Sequence, residues 1–399
     1  MPVWTYIKSR LLPLSVPLTP ITLTASYKTK TFKTSNSDIA ALRDWLLAQD
    51  CREVCMESTG KYWISIFNIL EPHIHVILTH PKYVKAIKGK KTDKRDARWI
   101  ANLFRFDILK ASFIPPADIR ALRELFRYRR KLSDMLTAEK NRYQNSMTIS
   151  RIRIDCVLAD PFGRSATRIM DYLLSGESFD EEKCRSLIDR RVKASKDEVM
   201  DAVHGYHILE EQKFKMIHAK DHMDFINKAI NEIETELFLR SRQYDTQIKR
   251  IATIPGVTEL SALFILSEIG ADMSVFESDR HLCSWAGLIP ANNESANKKK
   301  STRCSKSGQY LKPLLIQCAF AAVRSKKEPY FAIKYHCLAK RRGKKKAIVA
   351  IARMMLTSIY HMLSDNEDFH PDDYEATVHP PKQKPVVLTL NNTLQFLRE

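Results

Sequence analysis

The sequence predicts an α/β sheet domain followed by a mostly helical chain, and three observations predict it. Residues 26–112 alternate short β-prone runs with amphipathic helical ones. After Pro115 and Pro116 the pattern changes to long helices, with a three-four apolar stripe from Leu209 to Leu237. Gly is scarce, 10 in 399 residues, and no GxGxxG or GxxxxGK[ST] run occurs, which excludes a glycine-rich nucleotide cradle.

The elements follow in order. Residues 8–25, KSRLLPLSVPLTPITLTA, mimic a secretory leader, but three prolines spoil a helical apolar region, so secretion is not expected. KTKTFKT reads as a strand, and Ser35 with Asp38 three residues on resembles a capping box opening the helix DIAALRDWLLAQ. REVCMES is a short buried strand ending at Glu57, a helix runs from Tyr62 to Leu70, and IHVILTH is another strand closed by Pro81. Glu57 thus falls at the carboxyl end of a strand, where functional groups of α/β sheets commonly sit.

Residues 113–250 read as helical. Leu209, Gln212, Met216, Ala219, Met223, Ile226, Ile230, Ile233 and Leu237 form a heptad seam with one polar interruption, and Leu122, Leu125, Leu132, Leu136 and Tyr143 form a weaker partner. The seam fits an antiparallel or intermolecular coiled coil, or the ordinary core of a helical bundle. Residues 251–364 form a third unit, opened by a turn at Pro255-Gly256 that resembles the hairpin of helix-hairpin-helix modules. Residues 365–399 turn acidic and proline-bearing and read as a loosely ordered tail.

A chain of this length buries cores for two or three domains. Its 65 Lys+Arg against 46 Asp+Glu give +19, the electrostatic footprint of a protein that handles a polyanion. Charge alone does not separate DNA, RNA and an anionic membrane, but no stretch is expected to span a membrane. The eight cysteines are scattered without zinc spacing, which points to reduced thiols and a cytoplasmic location.

Within GKKTDKRDARWIANLFRF, residues 89–106, two carboxylates interrupt a strongly basic run. Asp93 and Asp96 stand at i and i+3 on one helix face, which continues to Ile100 and Leu103. A solvated face laced with salt bridges accounts for them. So does a divalent-metal site meeting a phosphodiester, with neighbouring lysines on the backbone.

MESTGKYW (56–63) and KGKKTDKRDARWIA (88–101), followed by IPGV, SWAGLIP and NNESANKKKSTRCSKSGQYLK (292–312), resemble together one family. It is the insertion-sequence one-ten transposases, the bridge-RNA-guided recombinases that include pilin-gene invertases. The resemblance spans roughly residues 26–363 and implies an RNase H-like (RuvC-like) domain over 26–112. In that family an Asp-Glu-Asp-Asp set binds Mg2+, and motif match puts Glu57, Asp93 and Asp96 on three of the four positions. Hard divalent cations take such carboxylate oxygens.

The resemblance further implies a C-terminal transposase domain whose serine forms a phosphoserine with DNA, here Ser295. A serine hydroxyl needs a base or metal to activate it and cations to stabilise the phosphate. Lys298, Lys299, Lys300, Arg303 and Lys306 suit that task, and Lys90, Lys91, Lys94 and Arg95 suit the nucleic-acid backbone near the carboxylates. The implied partners are DNA (element ends and target), a structured guide RNA and further copies of the chain, as a dimer or tetramer, with no membrane.

Two features depart from the family pattern. Ala296-Asn297 follows Ser295 where a glycine is usual. The family opens on a strand reading like Gly-Ile-Asp-x-Ser-Lys, yet no acidic residue precedes Asp38 and residues 1–25 match nothing in the family. The first strand is therefore expected to be missing or replaced, as a shifted reading frame or mis-assigned start would produce. A catalytically inactive remnant that only binds nucleic acid is the alternative reading.

Overall fold

Pro115 and Pro116 mark the division between two units, Met1–Pro115 and Pro116–Glu399. The computed structural model describes residues 3–7, 28–58, 60–81, 84, 93–290, 293–295, 298–301 and 303–380; for 3–7, 93–95, 105, 293–295 and 298–301 it describes the backbone alone.

In the first unit β1 (Val3–Ile7) pairs antiparallel with β2 (Lys28–Phe32), from Val3 opposite Phe32 to Ile7 opposite Lys28. Ser35 caps α1 (Asn36–Ala48) by accepting from the Asp38 amide at 3.3 Å, as its sequence spacing predicts. β3 (Glu53–Glu57) runs parallel to β4 (His75–Thr79), with α2 (Tyr62–Leu70) as the crossover. The apolar face of α1 (Ile39, Leu42, Leu46) and that of α2 (Ile66, Phe67, Leu70) close over Val54, Met56 and Leu78 of this pair. α3 (Asp93–Arg105) lies against β1 and β3, and β1 lies next to β3. A strand therefore stands in the N-terminal segment, where the sequence led us to expect a missing or replaced one, and VWTYI contains no acid.

The second unit opens on α4 (Ala117–Ile149). Four short helices follow, α5 (Ile154–Val157), α6 (Arg164–Leu174), α7 (Glu181–Ser186) and α8 (Lys196–Asp201), and then α9 (Glu210–Arg240). Asp180 caps α7, and Ser195 with Glu198 forms a capping box on α8. α4 and α9 pack antiparallel: Arg129 donates to Glu234 at 2.7 Å, and Glu139 meets His222 at 2.9 Å further along. The seam read from sequence is this contact. Ile226 and Ile230 pack on Leu132, while Met216, Ala219 and Met223 pack on the short helices together with Tyr143 and Met147. The intermolecular alternative is thereby corrected, because α4 of the same chain already fills the seam. Leu209 leaves the stripe, standing 43% exposed at the helix N-cap.

α10 (Asp245–Ala252), α11 (Glu259–Ile269), α12 (Asp279–Trp285), the strands β5 (Asn293–Ser295) and β6 (Lys298–Ser301), α13 (Leu311–Arg324), α14 (Tyr330–Arg342), α15 (Lys344–Asp365) and α16 (Tyr374–Val378) complete the unit. α15 is its core: Ile351, Ala352, Met355, Leu356 and Ile359 are fully buried, with α12, α13 and α14 around them. It is also the one helix among the described residues long and apolar enough to cross a membrane, and half of its apolar window is buried against protein.

The expected turn at Pro255-Gly256 joins α10 to α11. Gly256 backs onto α13, where a Cβ would come within 2.4 Å of the Ala322 amide nitrogen, so this side of the turn faces helix. Within the expected tail, residues 366–380 carry α16. Tyr374 stacks on Tyr330 at 5.7 Å, and Tyr330 donates to Asp373 at 2.7 Å, so aromatic burial and one carboxylate hold this segment against α14. Residues 381–399 lie outside the described residues.

Candidate active site and nucleic-acid interface

In the first unit the backbone brings the carboxylate-bearing elements together. Glu57 ends β3, exposed, while the three residues before it are buried. The strand end is held by Ser58, whose amide and hydroxyl both donate to Thr79 O, at 2.9 and 3.2 Å. Ser112 N reaches Leu78 O at 2.7 Å, so the segment after α3 is stitched back to β4. Asp93 is the first residue of α3 and Asp96 is half-buried one turn on. The residues of α3 that bury most are Ala97 and Ala101, while Ile100 and Leu103 are half-buried, so α3 presents its small side to the sheet. Small side chains permit close approach of α3 to β3.

Lys90 and Lys91 lie outside the described residues, as do the side chains of Asp93, Lys94 and Arg95. Among the described residues no group of three His, Cys, Asp or Glu side chains forms a metal-binding cluster. The donor set itself, Glu57 with Asp93 and Asp96, consists of carboxylates alone, which suits a hard divalent cation.

In the second unit β5 and β6 form an antiparallel hairpin. Ser295 stands opposite Lys298 and Glu294 opposite Lys299, with a register shift between Asn293 and Glu294. The backbone thus sets the serine position and the first of three consecutive lysines side by side. Ala296 and Asn297, which separate Ser295 from Lys298 in sequence, lie outside the described residues. Lys299 and Lys300 follow along β6, and Arg303 and Lys306 are exposed beyond it.

The base of the hairpin is tightly built. Pro290 bridges Cys304 antiparallel, and Lys312 donates to Gly287 O at 2.8 Å. Gly308, at φ +67°, backs onto Ala286, where a Cβ would stand 2.2 Å from the carbonyl oxygen. Tyr310, two residues on, lies under the Arg127 guanidinium at 4.6 Å. Arg127 in turn donates to both oxygens of Glu268, at 2.9 and 3.0 Å, and Arg123 donates to the backbone oxygens of Ser267 and Glu268 at 3.0 and 2.6 Å. Burial pulls the Arg123 guanidinium down to about 10, against the opposing pull of the Glu268 charge. Sequence reading passed over Glu268, Arg127 and Tyr310. The available signal was an acid inside the apolar run ELSALFILSEIG and two arginines four apart on α4.

An α/β domain with a carboxylate at a strand end, followed by a helical region that holds a basic hairpin, is consistent with a DEDD-type transposase domain and its helical region. A family model described as Transposase, of the DEDD IS110 type, matches residues 24–150, and one described as Transposase IS116/IS110/IS902 family matches residues 248–336. The chain carries IS110-family transposase domains. It is 32% identical over 146 residues to the transposase for insertion sequence element IS1111A of Coxiella burnetii, across 36% of this chain and 40% of that protein. It is also 32% identical over 121 residues to the pilin gene-inverting protein of Moraxella bovis, across 30% of this chain and 37% of that protein. A putative transposase of Sinorhizobium fredii, y4qE, is 25% identical over 231 residues, 58% of this chain and 47% of its own length. The chain therefore spans about two fifths of the length of the first two relatives.

Proposed function

We propose that the chain is a DNA recombinase of the insertion-sequence type, which cuts and rejoins DNA with Mg2+ and a serine nucleophile under the guidance of a structured RNA. The observation that carries this reading is the placement of Glu57 at the end of β3 with Asp93 and Asp96 opening the adjacent α3, inside the region matched by the DEDD family model. In this reading the first unit is RNase H-like, and Glu57, Asp93 and Asp96 hold the ion. A bound divalent ion stabilises the negative charge that gathers on a phosphate during displacement.

Ser295 supplies the attacking oxygen. Its hydroxyl oxygen bonds to phosphorus, its proton passes to a base or to solvent, and the deoxyribose oxygen leaves with the electron pair of the broken bond. Lys298, Lys299, Lys300 and Arg303 offset the charge of the phosphate, and Lys306 extends that surface along the backbone. Lys90, Lys91, Lys94 and Arg95 hold the nucleic acid near the carboxylates. Recombination joins two DNA sites, so the working form is a homo-oligomer. The gene inversion named for the Moraxella relative supports a rearrangement of DNA.

A second reading, binding of nucleic acid without cutting, rests on residues 1–37, which hold no Asp or Glu to serve as the fourth carboxylate. One experiment separates the two: a plasmid recombination assay with the element's own RNA. It compares the chain, a form with an aspartate-bearing family strand in place of residues 1–25, and that form with Ser295→Ala or Asp96→Asn. Recombination that disappears with either substitution supports the proposed chemistry. Recombination that survives Ser295→Ala removes the serine from it, and nucleic-acid binding with no recombination in any form supports the second reading.

A further inference from the structure

Six of the seven residues from Lys340 to Lys346 are cations, and all seven are exposed. Lys340, Arg341 and Arg342 end α14, Gly343 turns the chain at φ +82° and ψ 156°, and Lys344, Lys345 and Lys346 open α15. Ala347 and Ile348, next in sequence, are buried, so the corner is fixed to the core helix of the unit. Among the described residues no ion pair or hydrogen bond engages any of the six side chains.

The two halves of this corner differ physically. Cations in the last turn of α14 complement the negative end of the helix dipole, and that alone accounts for them. Lysines in the first turn of α15 face the positive end of a 22-residue helix. That turn has no acid and no capping side chain. Three like charges are thus placed where the fold itself disfavours them, and a polyanion is the partner that relieves the arrangement.

Charge density and surface character narrow the partner. Six positive charges within seven residues suit a partner of high negative charge density, and duplex DNA carries one phosphate per about 1.7 Å of axis. The described residues beyond Phe320 expose no large hydrophobic side chain, so the corner offers nothing to insert into a lipid surface. It also lies beyond residue 336, where the second family match ends.

We propose that the α14–α15 corner is a separate nucleic-acid contact, which grips the phosphate backbone of a duplex without reading its sequence. This rests on the reading that the chain handles nucleic acid, and adds to it a surface outside the Ser295 hairpin. Both sources of duplex phosphate, DNA and folded RNA, share this chemistry.

The test is fluorescence anisotropy on the full chain with a 30-base-pair DNA duplex and a duplex RNA of equal length, across a series of KCl concentrations. The K344Q/K345Q/K346Q variant is expected to flatten the log affinity against log salt slope for at least one duplex by about 2–3. It should melt no lower than wild type, because the charges removed oppose the helix dipole. Should it melt lower, K340Q/R341Q/R342Q serves in its place with the same expected direction. A loss confined to the DNA or to the RNA arm supports the proposal and names the source. Unchanged slopes for both duplexes overturn it. So does binding to phosphatidylserine vesicles that the variant loses while duplex binding stays intact. If K298Q/K299Q/K300Q weakens duplex binding and the corner variant does not, the corner alone falls. If wild type binds neither duplex, the functional reading falls with it.

Discussion

Arg127 holds both carboxylate oxygens of Glu268, at 2.9 and 3.0 Å, while its guanidinium covers the ring of Tyr310. One side chain thus ties the long helix α4 to α11 and to the segment that closes the Ser295 hairpin. The Glu268 side chain is 4% exposed, and the guanidinium groups of Arg127 and Arg123 meet it there.

Removing that charge alone leaves two arginines without their counter-ion. Breaking a buried pair from one side costs about 3–5 kcal/mol, and the partial exposure of Arg127 lowers the expectation to about 2–4 kcal/mol for Glu268→Gln. Urea unfolding measures it. A cost below about 1 kcal/mol would mean that solvent reaches the pair and that α4 is held to α11 by apolar contact, such as the Phe126–Phe264 stack at 4.8 Å, instead.

The α4–α9 contact makes a second prediction. Leu132 packs on Ile226 and Ile230 within one chain. Leu132→Ala and Ile226→Ala are each expected to cost about 2–5 kcal/mol, at any protein concentration. Together they should cost less or more than their sum by at least about 0.5 kcal/mol, because they share one cavity. Strict additivity, or destabilisation that vanishes on dilution, would return the seam to an intermolecular role.

Glycines separate strain from collision. Gly205 sits at φ +68° with nothing within 4 Å of where a Cβ would stand, so Gly205→Ala meets backbone strain alone, about 1–2 kcal/mol. Gly308 adopts φ +67° but faces Ala286 O at 2.2 Å, so Gly308→Ala adds a clash with backbone that cannot turn aside. It should lower the melting temperature well beyond the Gly205 variant. Equal shifts would show that the hairpin base yields to a methyl group.

Much of this was legible from residue pattern. The spacing of Ser35 and Asp38 gave α1 its start, the run REVCMES ended in a strand at Glu57, and the three-four stripe marked α9. Those signals are local or periodic, and such signals survive in a single sequence. The partner of the stripe was legible as the segment that holds Leu132, Leu136 and Tyr143; whether it comes from the same chain was not, because α4 is separated from α9 by some sixty residues and a second copy satisfies the same periodicity. The Glu268–Arg127–Tyr310 arrangement was invisible for the same reason: it joins three elements through one buried charge. Residues 366–380 misled because their acidity resembles a solvated tail, whereas Tyr374 and Phe369 supply the apolar contact that seats them on α14.

The last prediction concerns thiols in the first unit. Cys51 and Cys55 are buried, and burial pushes their thiols up to about 11 and about 12. The unfolded chain releases those protons near pH ~8.5. Between that pH and 11 the folded state holds protons that the unfolded state has lost, so stability falls as pH rises. It is fully present below the unfolded value. The same burial keeps the thiols protonated, hence unreactive, at pH 8. Cys156 and Cys337 are exposed and open to a reagent in solution. Alkylation with iodoacetamide at pH 8, followed residue by residue by mass spectrometry, should therefore label Cys156 and Cys337 first. Cys51 and Cys55 should follow only at the rate at which the first unit opens, and should speed up in mild urea. Equal rates for Cys55 and Cys337 in the absence of urea would mean that β3 is not the buried strand on which the position of Glu57 depends.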